Sequence, residues 1–209
     1  IAEILLALEL EPDPPFLPDH CGTCMRCIQA CPTGCLLPDR SLDAGRCISY
    51  LTIELKGQIP PELRSSLGDW IFGCDLCQQV CPWNRFAPQT VEPAFTTRPG
   101  LPTPLLETEL LTQAGQFNCK FARSPLQRAK RRGYLRNIAV VLGNHRSRDS
   151  VPALQQALLH DPEGLVRGHA AWALGQIGGP QARRALDISR QHELDPQVLA
   201  EIEAAFMMV

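Results

Sequence analysis

The chain has 209 residues, 44% of them hydrophobic, and a formal net charge of −2. That length suits one large or two modest domains, and the hydrophobic fraction is sufficient for a buried core. The sequence contains no apolar run of 18 residues and no basic leader followed by an apolar stretch. Neither a membrane span nor export is indicated, and no membrane partner is expected. We also expect a cytoplasmic protein and a monomer.

The first stretch, Ile1 to Leu10, is apolar apart from Glu3 and Glu9. It predicts either a core helix or a strand, because its periodicity does not distinguish the two. Four prolines between Glu11 and Pro18 then predict an extended loop that leads into the cysteine-rich region.

The first cysteine run, His20 to Pro32, reads H-C-G-T-C-M-R-C-I-Q-A-C-P. This is the C-x-x-C-x-x-C-x-x-x-C-P spacing of bacterial ferredoxins, in which three thiolates hold one [4Fe–4S] cube and the fourth reaches a second cube. Two-residue gaps let the chain wrap three corners of a cube, whereas the three-residue gap directs the last thiol away. The run therefore predicts a partner run elsewhere in the chain.

The partner run, Gly73 to Asn84, reads G-C-D-L-C-Q-Q-V-C-P-W-N and is one cysteine short. Cys47, in R-C-I-S-Y, is the obvious replacement. Exchanging the fourth ligands between the runs gives two complete sets. Cluster 1 takes Cys21, Cys24, Cys27 and Cys81, and cluster 2 takes Cys31, Cys47, Cys74 and Cys77.

Zinc and disulfides are the alternatives to iron–sulfur clusters. Zinc is usually held by two separated pairs of ligands, which a triple C-x-x-C-x-x-C run fits poorly. Disulfides are disfavoured because nothing marks the chain as secreted.

Between the cysteine runs the sequence predicts two helices. Asp43 to Lys56 has apolar residues on one helical face, and Pro60-Pro61-Glu62 is typical of the first turn of another helix. The aromatic residues beside the second run, Trp70 and Trp83 among them, predict apolar packing around a cube rather than a catalytic role.

Beyond the second run the pattern changes to paired helices. Tyr134 to Asn144 aligns with Val166 to Gln176, thirty-two residues later, and each is followed by a second helical stretch, at Val151 to His160 and Pro180 to Arg190. A period near thirty indicates a HEAT-like array, in which each pair buries its apolar face against its neighbours. Two repeats are few, so we expect them to pack on the cluster domain or on another element.

The predicted organisation is therefore mostly α-helical. A two-cluster, ferredoxin-like domain occupies residues 1–90, a proline-rich linker residues 91–104, and a HEAT-like repeat domain residues 105–209. Asp195-Pro196 predicts the start of a last helix that continues through Phe206.

A basic block lies where the first repeat begins. Residues 120–148 carry nine Lys and Arg and no acid, although the chain as a whole is slightly acidic. Arg128, Arg132 and Arg136 fall at four-residue steps on one helical face, and such a row of guanidinium groups can bind phosphates. Nucleic-acid binding is the resulting hypothesis, against the alternative of an ordinary solvated helix face. The candidate contacts also include Lys130, Arg131 and, in the next repeat, Arg167.

Together these motifs resemble epoxyqueuosine reductase, a family of cobalamin-dependent enzymes of tRNA queuosine synthesis. The resemblance extends over nearly the whole chain, through H-C-G-T-C-M-R-C-I-Q-A-C-P-T-G, R-C-I-S-Y-L-T-I-E-L-K-G, G-C-D-L-C-Q-Q-V-C-P-W-N, R-G-Y-L-R-N and H-A-A-W-A-L-G. It implies that electrons pass through two [4Fe–4S] clusters to cobalamin, which reduces the epoxide of epoxyqueuosine in tRNA, and that the repeats help hold the tRNA. An external electron donor completes the implied partners.

The family places its cobalamin-binding domain, with the catalytic acid, before the segment that opens this chain. We therefore interpret the chain as the C-terminal portion of such an oxidoreductase, without a catalytic residue of its own and inactive alone. The resemblance implies that Ser49 and the backbone of Cys74 and Asp75 lie beside the corrin, and that Lys56 lies near the tRNA. Cys35 and Cys119 lie outside the family's ligand set, and we interpret them as ordinary buried thiols.

Two rival interpretations stay open on the sequence alone. One is a ferredoxin-type electron carrier whose helical repeats dock a protein partner. The other is a relative of the reductive dehalogenases, which the repeats and the basic block disfavour.

Overall fold

The computed structural model describes residues 3–15, 20–95 and 105–208 of the chain. Regular structure within these ranges is helical, and the pairing of Leu36 with Leu42 is an isolated bridge rather than part of a strand. The predicted mostly α-helical fold is confirmed. None of the helices in these ranges combines the length and the apolar character needed to cross a bilayer.

The cysteine-rich region is built from short helical turns. These are α1 (Arg26–Ala30), a 3₁₀ turn (Ala44–Arg46), a π-helical turn (Tyr50–Glu54), α2 (Pro61–Arg64), a 3₁₀ turn (Ser65–Leu67), α3 (Leu76–Gln79) and 3₁₀ turns at Pro82–Phe86 and Pro93–Phe95. The helices α1 and α3 pack against each other. Helices this short are not stable in isolation, so they depend on the contacts that surround them.

The helix predicted over Asp43 to Lys56 forms only in part. A 3₁₀ turn is followed by a break at Cys47, and helical structure then resumes and ends in the π-helical turn. The start predicted for the next helix is confirmed, because Pro61 stands in the first turn of α2, where its missing N–H costs no helical hydrogen bond.

The C-terminal region consists of longer helices. They are α4 (Leu106–Leu110), α5 (Ala114–Lys120), α6 (Lys130–His145), α7 (Val151–His160), α8 (Gly164–Ile177), α9 (Gly179–His192) and α10 (Pro196–Phe206), with 3₁₀ turns at Pro125–Arg128 and Arg148–Ser150. The two predicted repeats are confirmed as the helix pairs α6–α7 and α8–α9. The predicted last helix is α10, and the Asp195 side chain caps it by accepting a hydrogen bond from the backbone N–H of Gln197 at 2.9 Å.

Glycines at equivalent positions of the two repeats allow α6, α8 and α10 to pack closely. A Cβ atom added to Gly143 on α6 would lie 2.7 Å from the Trp172 ring and 2.9 Å from the Cα of Ala173 on α8. A Cβ atom on Gly175 would likewise lie 2.9 Å from the Cβ of Ala205 on α10. These distances are shorter than van der Waals contact, so the two glycines set the spacing of the helices.

The repeats share one hydrophobic core with the cysteine-rich region. Ile48, Leu51, Ile59, Leu63 and Leu67 are all buried in the same cluster of side chains as the repeat helices. The expectation that two repeats need a further surface to pack on is therefore confirmed, and residues 48–67 provide that surface. The predicted domain bounds, 1–90 and 105–209, stay a prediction, because the shared core does not divide the chain at these positions.

Two sequence expectations concern segments outside the core. Residues 3–10 adopt neither the helix nor the strand predicted for Ile1 to Leu10, and Ile4, Leu5 and Leu8 are exposed. That prediction is wrong for the described residues. The apolar sequence indicated a buried segment, but it did not identify the surface against which the segment would pack. Ile1, Ala2 and residues 96–104 of the predicted linker lie outside the described residues.

Candidate iron–sulfur sites and their helical support

The four cysteines assigned to cluster 1 line a single cavity. Its volume is about 410 Å³, and its walls include Cys21, Cys24 and Cys27 from the first run together with Cys81 from the second. The structure therefore brings together the set obtained by exchanging the fourth ligands between the runs. If each run supplied all the ligands of its own cluster, Cys81 of the second run would not be expected beside the three cysteines of the first run.

Local backbone geometry directs these thiols into the cavity. The backbone N–H of Cys24 donates to the carbonyl of Cys21 at 2.9 Å, which closes a tight turn, and Gly22 within it has a φ of +51° that favours glycine. The Trp83 indole N–H donates to the carbonyl of His20 at 3.1 Å. This contact holds the end of the second run against the beginning of the first.

Three of the four cysteines assigned to cluster 2, Cys47, Cys74 and Cys77, lie close enough to influence one another. Burial raises the pKa of Cys74 and Cys77, and the nearby Cys47 thiol adds to the increase in both. Cys77 is also influenced by Cys27 of the first site. The two candidate sites are therefore adjacent, which a relay of single electrons requires.

Cys31, the remaining member of this set, contacts a thiol that the sequence did not assign to a cluster. Its Sγ lies 3.3 Å from the Sγ of Cys35 and 3.5 Å from the hydroxyl of Thr33. Burial opposes ionisation of Cys31, but hydrogen bonds from Thr33 and Cys35 outweigh it and lower its pKa to about 7. Burial, followed by the Cys31 contact, raises the pKa of Cys35 to about 12.

The two unassigned cysteines differ from each other. Cys35 is buried, as expected, but it contacts a candidate ligand and is not an isolated core thiol. The prediction that Cys119 is buried is wrong, because it is exposed near the end of α5.

The size of the cavity bears on which metal group the thiols could hold. A zinc ion holds its sulfur ligands about 2.3 Å from one centre, so the ligand atoms converge closely. In residues 3–15, 20–95 and 105–208, no three Cys, His, Asp or Glu side chains converge in a way that would hold one metal ion. A cavity of about 410 Å³ whose walls include four cysteines suits a four-iron cube.

Hydroxyl groups next to the π-helical turn fix the loop that begins the second run. The Ser49 hydroxyl accepts a hydrogen bond from the backbone N–H of Cys74 at 2.9 Å and donates to the carbonyl of the same residue at 3.0 Å. The Thr52 hydroxyl accepts from the N–H of Gly73 at 3.0 Å. Two successive residues of the cysteine loop are therefore held by residues 49–52.

Helix α6, the first helix of the repeats, forms hydrogen bonds with the π-helical turn and the residues that follow it. The Asn137 side-chain amide donates to the carbonyls of Thr52 at 2.8 Å and Ile71 at 2.7 Å. The Arg136 guanidinium donates to the carbonyls of Leu51, Leu55 and Gly57 at 2.6 to 2.8 Å. Helix α6 therefore holds the structure that positions the cysteine loop.

Two further contacts join the repeats to the cysteine-rich region. The Arg64 guanidinium is fully buried and forms a bidentate pair with Glu201 of α10 at 2.6 and 2.7 Å. The His169 ring accepts from the backbone N–H of Ile59 at 3.2 Å through Nε2 and donates to the carbonyl of Leu165 at 2.8 Å through Nδ1. Burial, reinforced by the charge of Arg64, lowers the pKa of His169 well below its usual value.

The predicted single helical face of basic residues is wrong, first because Arg128 lies in the 3₁₀ turn that precedes α6. Arg128, Arg132 and Arg136 do not share a solvent-exposed face, because Arg136 is fully buried and its guanidinium is occupied by carbonyls. Burial, with a smaller effect of Arg132, lowers the pKa of Arg136 to about 10, so it remains charged at neutral pH. Its place in the repeating pattern of arginines gave no sign that it faces inward.

Two other predicted nucleic-acid contacts are also occupied within the protein. Arg131 pairs with Asp161, and Arg167 forms a bidentate pair with Glu193 at 2.7 and 2.9 Å. The structure does not make either guanidinium available to a phosphate.

The remaining basic candidates are Lys56, Arg128, Lys130 and Arg132, all of them exposed. The Lys56 ammonium donates to the carbonyl of Arg128 at 3.1 Å, and Arg128 pairs with Glu54. Lys56 and the beginning of the first repeat, far apart in sequence, therefore form one surface.

Sequence reasoning did not identify Thr52, Arg136 and Asn137 as support for the cysteine loops. The adjacent pair Arg136-Asn137 in an apolar helix was an available signal, because polar residues in a core-facing segment require buried hydrogen-bond partners.

Comparisons with protein families assign both halves of the chain. Residues 20–84 match the 4Fe-4S double cluster binding domain, and residues 125–206 match HEAT repeats. An epoxyqueuosine reductase of Xanthomonas campestris pv. campestris is 45% identical over 178 residues, which are 85% of this chain and 50% of that protein. The epoxyqueuosine reductase of Bacillus subtilis (strain 168) is 36% identical over 203 residues, or 97% of this chain and 52% of that protein.

Solved structures agree with these relatives. The structure of epoxyqueuosine reductase from Bacillus subtilis superposes with a TM-score of 0.86 at 35% identity, over 96% of this chain and 53% of that one. A crystal structure of epoxyqueuosine reductase with an epoxyqueuosine-modified tRNA-Tyr stem loop gives a TM-score of 0.85 at 35% identity, over 95% of this chain and 52% of that one. The chain spans about half the length of the curated relatives that it matches.

Proposed function

The chain belongs to the epoxyqueuosine reductase family over the half of its relatives' length that it spans, and we propose that it is the electron-relay and tRNA-docking part of such a reductase. Two [4Fe–4S] clusters would carry single electrons towards cobalamin for reduction of epoxyqueuosine to queuosine in tRNA. The observation that supports this most strongly is the cavity that Cys21, Cys24 and Cys27 share with Cys81.

The chain's own residues hold and shield the clusters. Cys21, Cys24, Cys27 and Cys81 would bind the first cube, and Cys31, Cys47, Cys74 and Cys77 the second. When bound, the cubes supply one-electron transfer. Loss of the epoxide oxygen as water consumes two electrons and two protons, so the two adjacent sites match the electron demand.

We assign the contact with cobalamin to the loop around Cys74 and Asp75. Ser49 uses its hydroxyl both to accept from and to donate to the Cys74 backbone, so its role is to fix this loop. The Asp75 carboxylate, which is exposed, accepts a hydrogen bond from the Gln79 amide at 2.6 Å. The bond-breaking chemistry belongs to cobalamin held mainly by a domain outside this chain, and the chain alone is inactive.

The exchanged ligand sets are tested by comparing the EPR signals of cysteine variants of the reduced, cluster-loaded protein. We expect Cys81→Ser and Cys27→Ser to alter the same signal, and Cys77→Ser and Cys31→Ser to alter the other. If Cys81→Ser instead alters the signal that Cys77→Ser alters, each run holds its own cube and the exchanged assignment is incorrect.

We assign tRNA docking to the surface formed by Lys56, Arg128, Lys130 and Arg132. Four exposed basic side chains at one junction suit the phosphate backbone, and a relative has been solved with a tRNA stem loop. The second candidate, a carrier whose repeats dock a protein, uses the same helices without RNA.

Salt dependence distinguishes these two functions. For a tRNA stem loop, log affinity should fall with log salt by about 0.7 to 0.9 per neutralised phosphate. We expect Lys56→Ala and Arg132→Ala each to reduce that slope, and Arg184→Ala, on the exposed side of α9, to leave it unchanged. Absence of RNA binding at low salt would contradict tRNA docking and favour the protein-docking carrier.

A further inference from the structure

The cavity assigned to cluster 1 is bordered by exposed aromatic and basic side chains. Trp83 and Phe86 both line it and are 55% and 66% exposed, and Arg26 and Arg85 line it and are exposed. The Arg85 guanidinium lies over the Phe86 ring, 4.5 Å from its centroid. We call these four residues the entry face.

The charge of the entry face is opposite to that of the sequence around it. Residues 1–119 carry seven Lys and Arg against fourteen Asp and Glu, yet the described residues that line the cavity include three arginines and no carboxylate. One of them, Arg40, donates to the carbonyl of Gly22 and supports the first cysteine loop.

The other two arginines face solvent without a carboxylate partner. Among the described residues, Arg26 and Arg85 form no ion pair, whereas Arg64, Arg131 and Arg167 are each paired with an acid. An exposed arginine pair beside a redox site attracts an anionic partner.

The first cluster site has one exposed ligand. Cys21 is exposed, whereas the other cysteines assigned to the two sites are partly buried: Cys24, Cys27, Cys81, Cys31, Cys47, Cys74 and Cys77. The second site additionally lies against the turn that α6 supports. The exposed Cys21 and the exposed side chains that line its cavity make the first site the one that an outside electron carrier can approach.

We propose that the entry face is the docking surface for an acidic, soluble one-electron carrier, which reduces the first cube. The proposal rests on the proposed function, because it requires a cube in this cavity. In each encounter the carrier's redox centre loses one electron and the cube gains one, and two encounters provide the two electrons that one epoxide needs. Arg26 and Arg85 attract the acidic surface, and Trp83 and Phe86, large exposed side chains, provide the apolar contact of a small transient interface.

The test uses the cluster-loaded protein and measures reduction by stopped-flow absorbance under anaerobic conditions. The donor is a reduced flavodoxin, an acidic flavin carrier, and the small reductant dithionite is used in parallel. For Arg26→Glu combined with Arg85→Glu, we expect the second-order rate constant with flavodoxin at low ionic strength to fall by about tenfold or more. The rate with wild type should decrease as salt is added, whereas in the double variant, whose glutamates repel the acidic carrier, that decrease should be absent or reversed.

A matched control reverses charge far from the cavity. Arg184→Glu, on α9, should leave the rate with flavodoxin unchanged, and the cluster potentials measured by EPR-monitored titration should be the same in all variants. An unchanged flavodoxin rate in the double variant would overturn the proposal, as would a wild type that dithionite reduces and flavodoxin does not. A shift of cluster potential with equal slowing by both reductants would also overturn it, because the arginines would then tune the cube.

Failure of the proposed function gives a different result. If the purified chain cannot be loaded with clusters, or dithionite reduces nothing in it, the cavity does not hold a redox centre. The proposal then fails together with the electron-relay function, and the flavodoxin comparison is not needed to show it.

Discussion

The replacement of Arg136 by Met tests whether the first repeat helix supports the cluster loops. Met keeps most of the aliphatic volume and removes the guanidinium. The carbonyls of Leu51, Leu55 and Gly57, which accept from it at 2.6 to 2.8 Å, would lose this donor; the contact with Leu51 is buried and the other two are partly buried.

The expected cost follows from the number of lost partners. A buried carbonyl left without a donor costs about 1 to 3 kcal/mol, and of these contacts only the one with Leu51 is buried, so the three together cost up to about 3 kcal/mol. Part of this loss of stability is offset, because the variant no longer buries a charge that has no carboxylate partner. The loss of the hydrogen bonds from Arg136 to the Asn137 side chain destabilises it further. For a chain of this size, about 3 kcal/mol corresponds to a decrease of about 6 to 12 °C in Tm.

The assay is thermal and chemical denaturation of the cluster-loaded protein, followed by tryptophan fluorescence in the absence of oxygen. Arg132→Met is the matched control, because Arg132 lies one helical turn earlier on α6 and is exposed. We expect it to change stability by less than about 0.5 kcal/mol. If Arg136→Met is no more destabilising than Arg132→Met, the carbonyl contacts do not support the junction and the reasoning is refuted.

Three further predictions concern the junction and the repeats. Burial lowers the pKa of His169, so below about pH 6.5 the unfolded chain takes up a proton that the folded chain does not. The free energy of unfolding should therefore be at its full value above about pH 6.5 and decrease below it, by up to about 1.4 kcal/mol per pH unit. In denaturation curves between pH 5 and 7, His169→Gln should lack this pH dependence, and an equal dependence in both proteins would contradict the prediction. Gly143→Ala should cost about 1 to 3 kcal/mol in the same assay because its Cβ meets α8, whereas Gly115→Ala on α5, where a Cβ meets nothing within 4 Å, should not destabilise. Ser49→Ala should speed the loss of the second cluster in air, measured by EPR, because it removes both hydrogen bonds to the Cys74 backbone. Ser65→Ala is the control, because Ser65 is exposed in the turn after α2. Equal rates of loss in the two variants would show that Ser49 does not hold the loop.

Much of the architecture was predictable from sequence because its signals are local and repeat. Cysteine spacing is set by the size of a cube, so the two runs predicted the set of Cys21, Cys24, Cys27 and Cys81, which lines one cavity. The period between Tyr134 and Val166 predicted the helix pairs, because each pair must expose the same apolar face to its neighbour.

The orientation of charged side chains at the junction was not predictable in the same way. Arg136 and Arg132 are one turn apart in a basic block, yet one is buried among carbonyls and the other is exposed. The difference arises from residues 51–57, which lie far away in sequence and whose irregular backbone leaves carbonyls free to accept. Local periodicity carries no information about such a partner.

Some site residues were hidden for a related reason. Thr52 and Asn137 hold the second cysteine loop through backbone groups, and backbone groups leave no signature in the sequence. Cys35 was interpreted as an ordinary buried thiol because it lies outside the family's ligand set, whereas its contact with Cys31 depends on the turn after α1.

Iron and acid-labile sulfide in protein purified without oxygen test the central assignment most directly. Two cubes held by eight thiols predict about eight irons and about eight sulfides per chain, with EPR signals of two interacting [4Fe–4S] centres after reduction. About four irons per chain, or stoichiometric zinc in place of iron, would contradict the two-cluster relay.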